Sequence, residues 1–595
     1  MESEPTKYCD LVMKGGITSG IVYPNAVLAL AKQFRLKNIG GTSAGAIAAA
    51  VCAAAALGDR RKHAKSELQQ EPGKVGFEGL QTVSKRLSAQ GFIYSLFQPA
   101  PGARNAFRVV VVLAGKAGAL RKGISLLIAV LAIAPIETLL VLAALLALGY
   151  RAAGLPGIWA ALLPAVLCAY AGGASFSILR VARAARGNLL GLCTGRSLKG
   201  RLGKDKPALT EWLHQVLQEL SGKSPDQPLT FTDLWTAPRY AGEPNTPYAM
   251  TLQMITTGVS HHEPRTLPFE NAAFWFRRDQ FDLLFPSEVV NWMVNRTGPP
   301  VRVDGIDYYR LPDGGDLPVL VGMRMSLSFP LLISAVPLHQ PISSAQVTAF
   351  RVCWFSDGGI SSNFPIHLFD AALPRWPTFA LDLVYPDTAD KAGPHQPEIF
   401  LPSENNQGWQ RRYQTIARPG AVQELGGFLF GIVATMQNWR DLLQSRAPGQ
   451  RDRIVHISLT GNEGGMNLDM PQPVLDNISR KGTAAGEALQ EFSFDNHHWV
   501  RWRNLISALQ RYTVGIAESV NTEPKIPDYM PAYQTVESGI PEPPSYSFRS
   551  QHRQAEAEKM LQFLIRQGKE WKDNGPDLTN GAPKPLPQLQ IVPIY

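Results

Sequence analysis

Apolar and polar positions alternate along the first sixty residues in blocks whose lengths fit strands and helices. YCDLVMKGG predicts a buried strand ending in glycines, and SGIVYPNAVLALAKQF predicts a turn followed by a helix. LKNIGG predicts a second strand, and AGAIAAAVCAAAALG a second helix. Alternating strands and helices are typical of a parallel sheet covered by helices, so we predict an α/β fold with a mainly parallel central sheet.

The same pattern continues in the second half of the chain. PTFALDLVYP and DRIVHISL predict further buried strands, and AVQELGGFLFGIVATMQNWRDLLQSR predicts a helix between them. Beyond about residue 520 the chain becomes proline-rich, with one more predicted helix in HRQAEAEKMLQFLIRQGKEWKDN. We therefore divide the chain into residues 1–100 and 187–520, two parts of one catalytic domain, an insertion at 101–186, and a C-terminal extension at 521–595.

The insertion contains two long apolar runs. Residues 123–150 carry one charged side chain, Glu137, and residues 152–179 carry no charge. Each run could cross a hydrocarbon core that needs about 20 helical residues, and the short sequence RAAGLPG between them predicts an antiparallel hairpin. Lysines and arginines flank both ends, which favours a cytoplasmic position for both. The alternatives are a hairpin that dips into the membrane and a buried helix pair in a soluble core.

The positive charge of the chain is concentrated around these runs. The net charge is +9, but residues 101–206 hold fourteen Lys or Arg against Glu137 and Asp205, a local charge of +12 that leaves −3 for the remainder. This distribution argues against a nucleic-acid-binding protein, so no nucleic-acid partner is expected. The five cysteines form no C-x-x-C pair, and no metal or nucleotide motif is found, so we expect no metal and no cofactor.

Two glycine-rich turns follow the first two predicted strands. IGGTSAG places Ser43 in a G-x-S-x-G pattern between a strand and a helix, where a serine can act as a nucleophile. KGGITSG ends the preceding strand, and its backbone N–H groups can converge on an anion at the same sheet edge. The alternative for each is a purely structural glycine turn.

A third motif, FSDGGISSNFP, places Asp357 before two glycines. Its carboxylate could accept the Ser43 proton if burial raised its pKa from about 3.9. A lone Asp-Gly-Gly can also be a surface turn, as we expect for LPDGGD around Asp313. A histidine is the alternative base, and the candidates after Asp357 are His367, His395, His456, His497, His498 and His552.

In this order the three motifs resemble those of the patatin-like phospholipase family. The resemblance implies a three-layer α/β/α fold and a Ser-Asp catalytic dyad without histidine, formed by Ser43 and Asp357. It places the oxyanion hole at Gly15, Gly16 and Ile17. The glycines that match its motifs, including those of the oxyanion loop, are Gly15, Gly16, Gly20, Gly41, Gly45, Gly358 and Gly359.

The resemblance covers about residues 8–58 and 187–386, with weaker similarity in GLCTG, LTFTDLW and MRMSLSFP. The oxyanion loop departs from the family pattern G-G-G-x-[KR]-G, because Ile17 replaces the third glycine and Ser19 the basic residue. Backbone donors survive both changes. A side-chain cation would be missing unless Lys14 or another residue replaces it.

The resemblance and the apolar runs together imply a membrane-anchored lipid acyl hydrolase. Its expected substrate is a membrane glycerophospholipid, and its expected contact with the bilayer lies in residues 123–179. We expect two membrane spans with the catalytic domain in the cytoplasm, in the inner membrane of a bacterium. The alternatives are an acyltransferase or esterase for another lipid, and a catalytically weak membrane scaffold or effector. Oligomeric state is left open.

Overall fold

A twelve-stranded sheet and the helices packed on it form the framework of the protein, here a computed structural model. The described residues are 5–16, 18–114, 119–197, 206–270, 274–342, 348–385, 397–404, 407, 421–465, 467–520, 536, 539, 546–586 and 589.

The strands are β1 (Lys7–Met13), β2 (Phe34–Thr42), β3 (Gly191–Cys193), β4 (Thr251–Gly258), β5 (Glu263–Leu267), β6 (Trp275–Arg277), β7 (Val301–Val303), β8 (Ile306–Arg310), β9 (Leu331–Ile333), β10 (Val336–Pro341), β11 (Phe350–Asp357), β12 (Thr378–Val384), β13 (Ile399–Phe400) and β14 (Ile454–Ser458).

The helices are α1 (Val22–Leu30), α2 (Ala44–His63), α3 (Gly76–Leu87), α4 (Phe92–Leu96), α5 (Arg104–Ala114), α6 (Ala119–Ile133), α7 (Pro135–Gly187), α8 (Leu209–Ser221), α9 (Phe231–Trp235), α10 (Arg278–Phe281), α11 (Ser287–Arg296), α12 (Val319–Ser326), α13 (Ala421–Ser445), α14 (Gln472–Gln490), α15 (Phe494–Ser519) and α16 (Gln551–Asp573).

The sheet is mixed, so the prediction of a mainly parallel sheet is wrong. Its strand order is β13-β14-β12-β1-β2-β4-β11-β10-β6-β8-β7, with β5 paired to β4. Only the five neighbours β14, β12, β1, β2 and β4 pair in parallel, whereas every other pair in this sheet is antiparallel. The sequence pattern suggested parallel pairing because β1, α1, β2 and α2 come first in the chain. Short strands joined by hairpins then extend the sheet beyond β4.

Both faces of the central strands are covered by apolar side chains, as alternation along a strand requires. Leu11 and Met13 of β1 belong to the main core, to which the alanine-rich helix α2 contributes much of its length. Val12 points to the other face, where it belongs to a separate buried cluster with Phe364 and Ile366. The central strands are therefore buried on both sides, which explains their continuous apolar sequences.

The apolar runs of the insertion fold as helices that project apolar side chains outward. In the described part of the chain, one helix, α7, is long and apolar enough to cross a membrane, judged by length and composition. Only 6% of its most apolar 18-residue window is buried, so a buried helix pair in a soluble core does not describe it.

The prediction that the first apolar run is one helix was wrong, whereas the predicted turn RAAGLPG does contain a break in the helix. Residues 123–150 do not form one helix, because the chain breaks at Ala134 between α6 and α7, directly before Pro135. The second break lies inside α7 at Ala153 and Gly154, whose backbone angles are not helical. The two parts of α7 run antiparallel, because residues on either side of the break lie next to each other. An added Cβ at Gly149 would lie 2.7 Å from the Gly157 carbonyl oxygen, and farther from the break Arg180 pairs with Glu137.

Candidate active site

The turn after β2 holds Ser43 in an unusual backbone conformation. Its φ is 57° and its ψ is −126°, a region that residues with a Cβ rarely adopt. The residue directly precedes α2, and the described residues contain no recorded acceptor for the first two N–H groups of that helix, those of Ala44 and Gly45. The Ser43 side chain is 5% exposed. A hydroxyl placed in this way sits at the positive end of a helix dipole.

The glycines of G-x-S-x-G are required by close backbone packing. A Cβ on Gly41 would lie 2.3 Å from the Gly45 carbonyl oxygen, and a Cβ on Gly45 would lie 2.3 Å from the Met13 carbonyl oxygen. Both obstacles are backbone atoms that cannot rotate away. The two glycines therefore let β1, the turn and α2 approach one another, which holds the strained turn in place.

The register of three neighbouring strands brings Asp357 to Ser43. Thr42 of β2 pairs with Ile255 of β4, and the next residue of β4, Thr256, pairs with Asp357 of β11. Strand β4 thus lies between the strands that carry the two candidates. The backbones of those two strands are about 10 Å apart, a distance that the two side chains span. The motif resemblance predicted this pair, whereas no local sequence pattern indicated the strand register that brings the two residues together.

Ser43 and Asp357 are in direct contact. The Ser43 hydroxyl donates a hydrogen bond of 2.7 Å to Asp357 Oδ2, and the Gly359 N–H donates one of 2.8 Å to Oδ1 of the same carboxyl. Asp357 is 3% exposed. Burial raises the pKa of Asp357 from 3.8 to about 7, against the opposing effect of these two hydrogen bonds. This carboxyl can therefore exchange a proton with the hydroxyl near neutral pH.

Two serines that sequence reasoning left without a role position the pair. Ser326 Oγ accepts the Ser43 N–H at 3.1 Å and donates to the Ile255 carbonyl at 2.6 Å. The Ser328 carbonyl accepts the Asp357 N–H at 3.0 Å. Both serines belong to MRMSLSFP, a segment with weak similarity to the family. That similarity could have indicated that the segment lies near the site, but it did not indicate which atoms the two serines contact.

The glycine loop after β1 lies against the turn that holds Ser43. A Cβ on Gly15 would lie 3.2 Å from the Ser43 Cβ, and one on Gly20 would lie 3.4 Å from the Ala44 Cβ. The Gly15 N–H donates a hydrogen bond of 2.8 Å to the Asn363 carbonyl, so this donor is already used. For the Gly16 N–H, the described residues contain no recorded acceptor. Ile17 lies outside the described residues.

Lys14 does not point a free cation at this loop. Its ammonium donates to Asp382 Oδ1 at 2.8 Å and to the Leu383 carbonyl at 3.1 Å, and the other Asp382 oxygen lies 2.8 Å from His456 Nδ1. The loop is instead held by neutral groups. The Thr18 N–H and hydroxyl both donate to the Gly465 carbonyl, at 3.2 and 3.0 Å.

Asn363 and Asp441 complete the surroundings, and neither was predicted. A Cβ on Gly15 would lie 2.1 Å from Asn363 Oδ1, which places this amide next to the glycine loop after β1. Asp441 of α13 is 2% exposed and accepts hydrogen bonds from the Phe364 N–H at 2.7 Å and the Ser362 hydroxyl at 3.1 Å. Helix α13 is thereby joined to the segment that follows Asp357.

The comparisons with known proteins agree with the motifs. The sequence model of the patatin-like phospholipase family matches residues 11–106, which include Gly15 and Ser43. The chain is also 59% identical over 635 aligned residues to the RpoH suppressor of Rhizobium meliloti (strain 1021), with 100% of both chains covered. The chain therefore contains a patatin-like phospholipase domain at residues 11–106.

Two solved structures show weaker likeness to this patatin-like protein. VipD from Legionella pneumophila is 13% identical, with 98% of this chain and 89% of that chain covered and a TM-score of 0.29. The ExoU–SpcU complex from the type III secretion system of Pseudomonas aeruginosa gives 14% identity, coverage of 95% and 90%, and a TM-score of 0.21. Scores this low support no comparison of site geometry.

Within the described residues of this patatin-like protein, no histidine has a recorded hydrogen bond to Ser43 or Asp357. His456 contacts Asp382, His497 contacts Asp452, and His498 stacks on Phe494. Burial lowers the pKa of His367 to about 4. His552 lies in α16, and His395 lies outside the described residues. No group of three or more metal-ligating side chains is found in the described ranges.

The base of the apolar helix α7 is attached close to this site. Four residues after its end, β3 begins and pairs in parallel with β9, so that Gly191 lies opposite Leu331. The Ser334 hydroxyl also donates to the Asn188 carbonyl at 2.6 Å. Because β9 begins three residues after Ser328, the segment that bonds the Asp357 N–H also anchors α7.

Proposed function

We propose that the protein is a membrane-bound lipid acyl hydrolase that cleaves carboxylic esters of glycerophospholipids, with Ser43 as nucleophile and Asp357 as base. The observation that carries the proposal is the 2.7 Å hydrogen bond from the Ser43 hydroxyl to a buried carboxyl whose pKa is raised to about 7. A serine hydroxyl needs such a base, because it is a weak nucleophile at neutral pH.

In the first half of the reaction, the ionised Asp357 takes the proton of the Ser43 hydroxyl while Oγ bonds to the ester carbonyl carbon. The carbonyl electron pair moves onto its oxygen. When this pair returns, the bond to the lysophospholipid oxygen breaks, and that oxygen takes the proton from Asp357. An acyl group remains on Ser43.

In the second half, a water molecule gives its proton to Asp357 as its oxygen attacks the acyl carbonyl. The fatty acid leaves, and Ser43 Oγ takes the proton back. The oxyanion of both steps needs donors close to Ser43. The Gly16 N–H and the first N–H groups of α2 are the donors we assign, with Gly15 shaping the loop rather than donating, because its N–H is bonded to Asn363.

The proposed membrane contact rests on α7. Its residues 135–152 and 155–187 would span about 27 Å and about 50 Å at 1.5 Å per residue, so the second part exceeds a hydrocarbon core of roughly 30 Å and the first part comes within a few ångströms of it. Arg180, Arg183 and Arg186 follow the second part, and basic flanks favour the cytoplasmic side. A bacterial inner membrane with the catalytic part in the cytoplasm fits this arrangement.

Release of fatty acid from mixed phospholipid vesicles tests the proposal. The Ser43→Ala and Asp357→Asn variants should each lose activity by about 10³-fold or more, since nucleophile and base act as a unit. The matched control is Asp313→Asn, which changes the other Asp-Gly-Gly of the chain. Asp313 is 91% exposed and its nearest cation, Arg310, is 3.9 Å away, so this variant should keep full activity.

The outcomes separate the proposal from its alternatives. Equal activity in wild type and both dyad variants would contradict the assignment of Ser43 and Asp357. Transfer of the acyl group to an added alcohol, in preference to water, would identify an acyltransferase. A correctly folded wild type that releases no acyl group from any lipid ester would favour the scaffold.

A further inference from the structure

Helix α13 carries a continuous row of exposed apolar side chains. They are Leu425, Phe428, Leu429, Ile432, Val433, Met436, Trp439 and Leu443, each 43–69% exposed. We call this row the apolar stripe. Positions 425, 429, 432, 436, 439 and 443 follow one another at alternating spacings of four and three residues, so they lie on one face of the helix. So many large apolar residues on one face indicate a binding surface.

The opposite face of α13 is bonded to the catalytic domain. Asp441 lies nine residues after Ile432, a rotation of about 180° from it on the helix. Asp441 is 2% exposed and holds the Ser362 hydroxyl and the Phe364 N–H. The helix is thus attached through its polar side, and the apolar stripe is turned outward.

The chemistry of the stripe fits a lipid bilayer. Trp439 lies within it, and the exposed Arg440 follows directly, a combination typical of helices that lie in the boundary between headgroups and acyl chains. Arg446, just beyond the helix end, adds a second cation that complements anionic headgroups. A second exposed apolar element, α7, is anchored to the same segment that positions Asp357, so both surfaces belong to the surroundings of one site.

We propose that α13 lies in the surface of the phospholipid bilayer, with its apolar stripe against the acyl chains. The contact also reaches the catalytic turn, because Asp441 holds the residues on either side of Asn363, whose carbonyl accepts the Gly15 N–H. That this contact delivers substrate rests on the proposed function. The lipid contact itself does not.

Fluorescence from a single labelled position tests the lipid contact in the full chain. Cys168→Ser removes the exposed cysteine, and the other four are buried. Met436→Cys is then introduced and labelled with the environment-sensitive fluorophore NBD. The labelled protein is reconstituted in nanodiscs of phosphatidylcholine and phosphatidylglycerol. We expect a blue-shifted emission and about twofold quenching when the acyl chains are brominated. The control label is Lys559→Cys, an exposed position on α16, which should show neither change.

Every other result contradicts the proposal. A blue shift without bromine quenching would mean that protein, either a second copy or another chain, covers the stripe. An emission like that of the Lys559 control would place the stripe in water.

Activity measurements separate this proposal from the proposed function. Met436→Ser should lower hydrolysis of bilayer phospholipid about tenfold. The apolar contact that this side chain would lose is worth about 1.4 kcal/mol of binding free energy, which corresponds to a factor of ten. Hydrolysis of a dissolved short-chain ester should change less than about twofold, since Met436 is remote from the Asp441 contacts on the helix circumference. An equal loss on both substrates would overturn the delivery role. If wild type cleaves neither substrate, the proposed function fails, and the bromine quenching still decides the lipid contact.

Discussion

At the residue scale, the site depends on one strained serine. A residue other than glycine with φ 57° and ψ −126° costs on the order of 1–3 kcal/mol. The surrounding contacts offset this cost. Gly41 and Gly45 allow the backbones to touch, and Ser326 accepts the Ser43 N–H. The strain has a consequence for chemistry, because it places the hydroxyl within 2.7 Å of Asp357 before any substrate is bound.

The raised pKa of Asp357 predicts the pH dependence of ester hydrolysis. The base must be ionised, so kcat/KM should rise with pH, with a midpoint near the Asp357 pKa of about 7, and level off above it. Below the midpoint the rate should fall about tenfold per pH unit. A pH–rate profile on a dissolved ester measures this. A plateau that extends unchanged down to pH 5 would mean that Asp357 does not accept the proton.

The same group predicts a pH effect on stability. The folded pKa of Asp357 lies above its unfolded value of 3.8, so the unfolded chain ionises first and folding loses stability as pH rises from about 4 to about 7. Asp357→Asn does not titrate and escapes this loss. The melting temperature of the variant minus that of wild type should therefore be larger at pH 8 than at pH 5. A difference that stays constant between these pH values would contradict the raised pKa.

At the element scale, a helix far along the chain supports the segment that follows Asp357. α13 begins more than sixty residues after Asp357, yet Asp441 near its end holds Ser362 and Phe364. The sequence pattern predicted this helix nearly at its observed bounds. It did not predict the contact, because a helical pattern indicates which face is apolar and not which loop the polar face meets.

The Asp441→Ala variant tests this support. Two buried donors would lose their acceptor, at a cost of about 1–3 kcal/mol, and the melting temperature should fall. Because the released segment contacts Gly15 through Asn363, kcat on a dissolved ester should fall while KM changes little. The control is Asp279→Ala, which removes an exposed carboxylate paired with Arg277 and should change stability by about 1 kcal/mol or less. A loss of stability with unchanged kcat would assign Asp441 a structural role only.

At the scale of the whole molecule, the apolar hairpin within α7 is set apart from the catalytic domain. Its residues are mostly exposed, and its base joins the domain through β3. The ion pair of Glu137 with Arg180 marks where the two antiparallel parts come together. Excising residues 138–179 and joining these two residues through a short Gly-Ser link should therefore leave the domain folded.

This deletion should convert the protein from carbonate-resistant membrane association to a carbonate-extractable or soluble form, because the apolar surface that would span the bilayer is gone. The matched control is Glu137→Gln with Arg180→Gln, which keeps the apolar surface and should stay in the membrane. Unchanged resistance of the deletion variant would show that α7 is not the membrane anchor.

The sequence by itself determined the features that depend on neighbouring residues. The period of apolar positions predicted β1, α1, β2 and α2, and G-x-S-x-G marked the turn at Ser43, because close packing of backbones there tolerates only glycine at positions 41 and 45. The apolarity of residues 123–179 was likewise readable from the chain, since side-chain polarity is a local property, whereas the bounds of α6 and α7 were not.

Only the tertiary structure decided what depends on distant pairings. The register of β2, β4 and β11 brought Asp357 to Ser43 across 314 positions of sequence. The mixed sheet, the Ser326 and Asp441 contacts and the pairing of Lys14 with Asp382 were decided in the same way. Each of these depends on which elements become neighbours in space, and that choice is made by packing of the whole core rather than by the residues on either side.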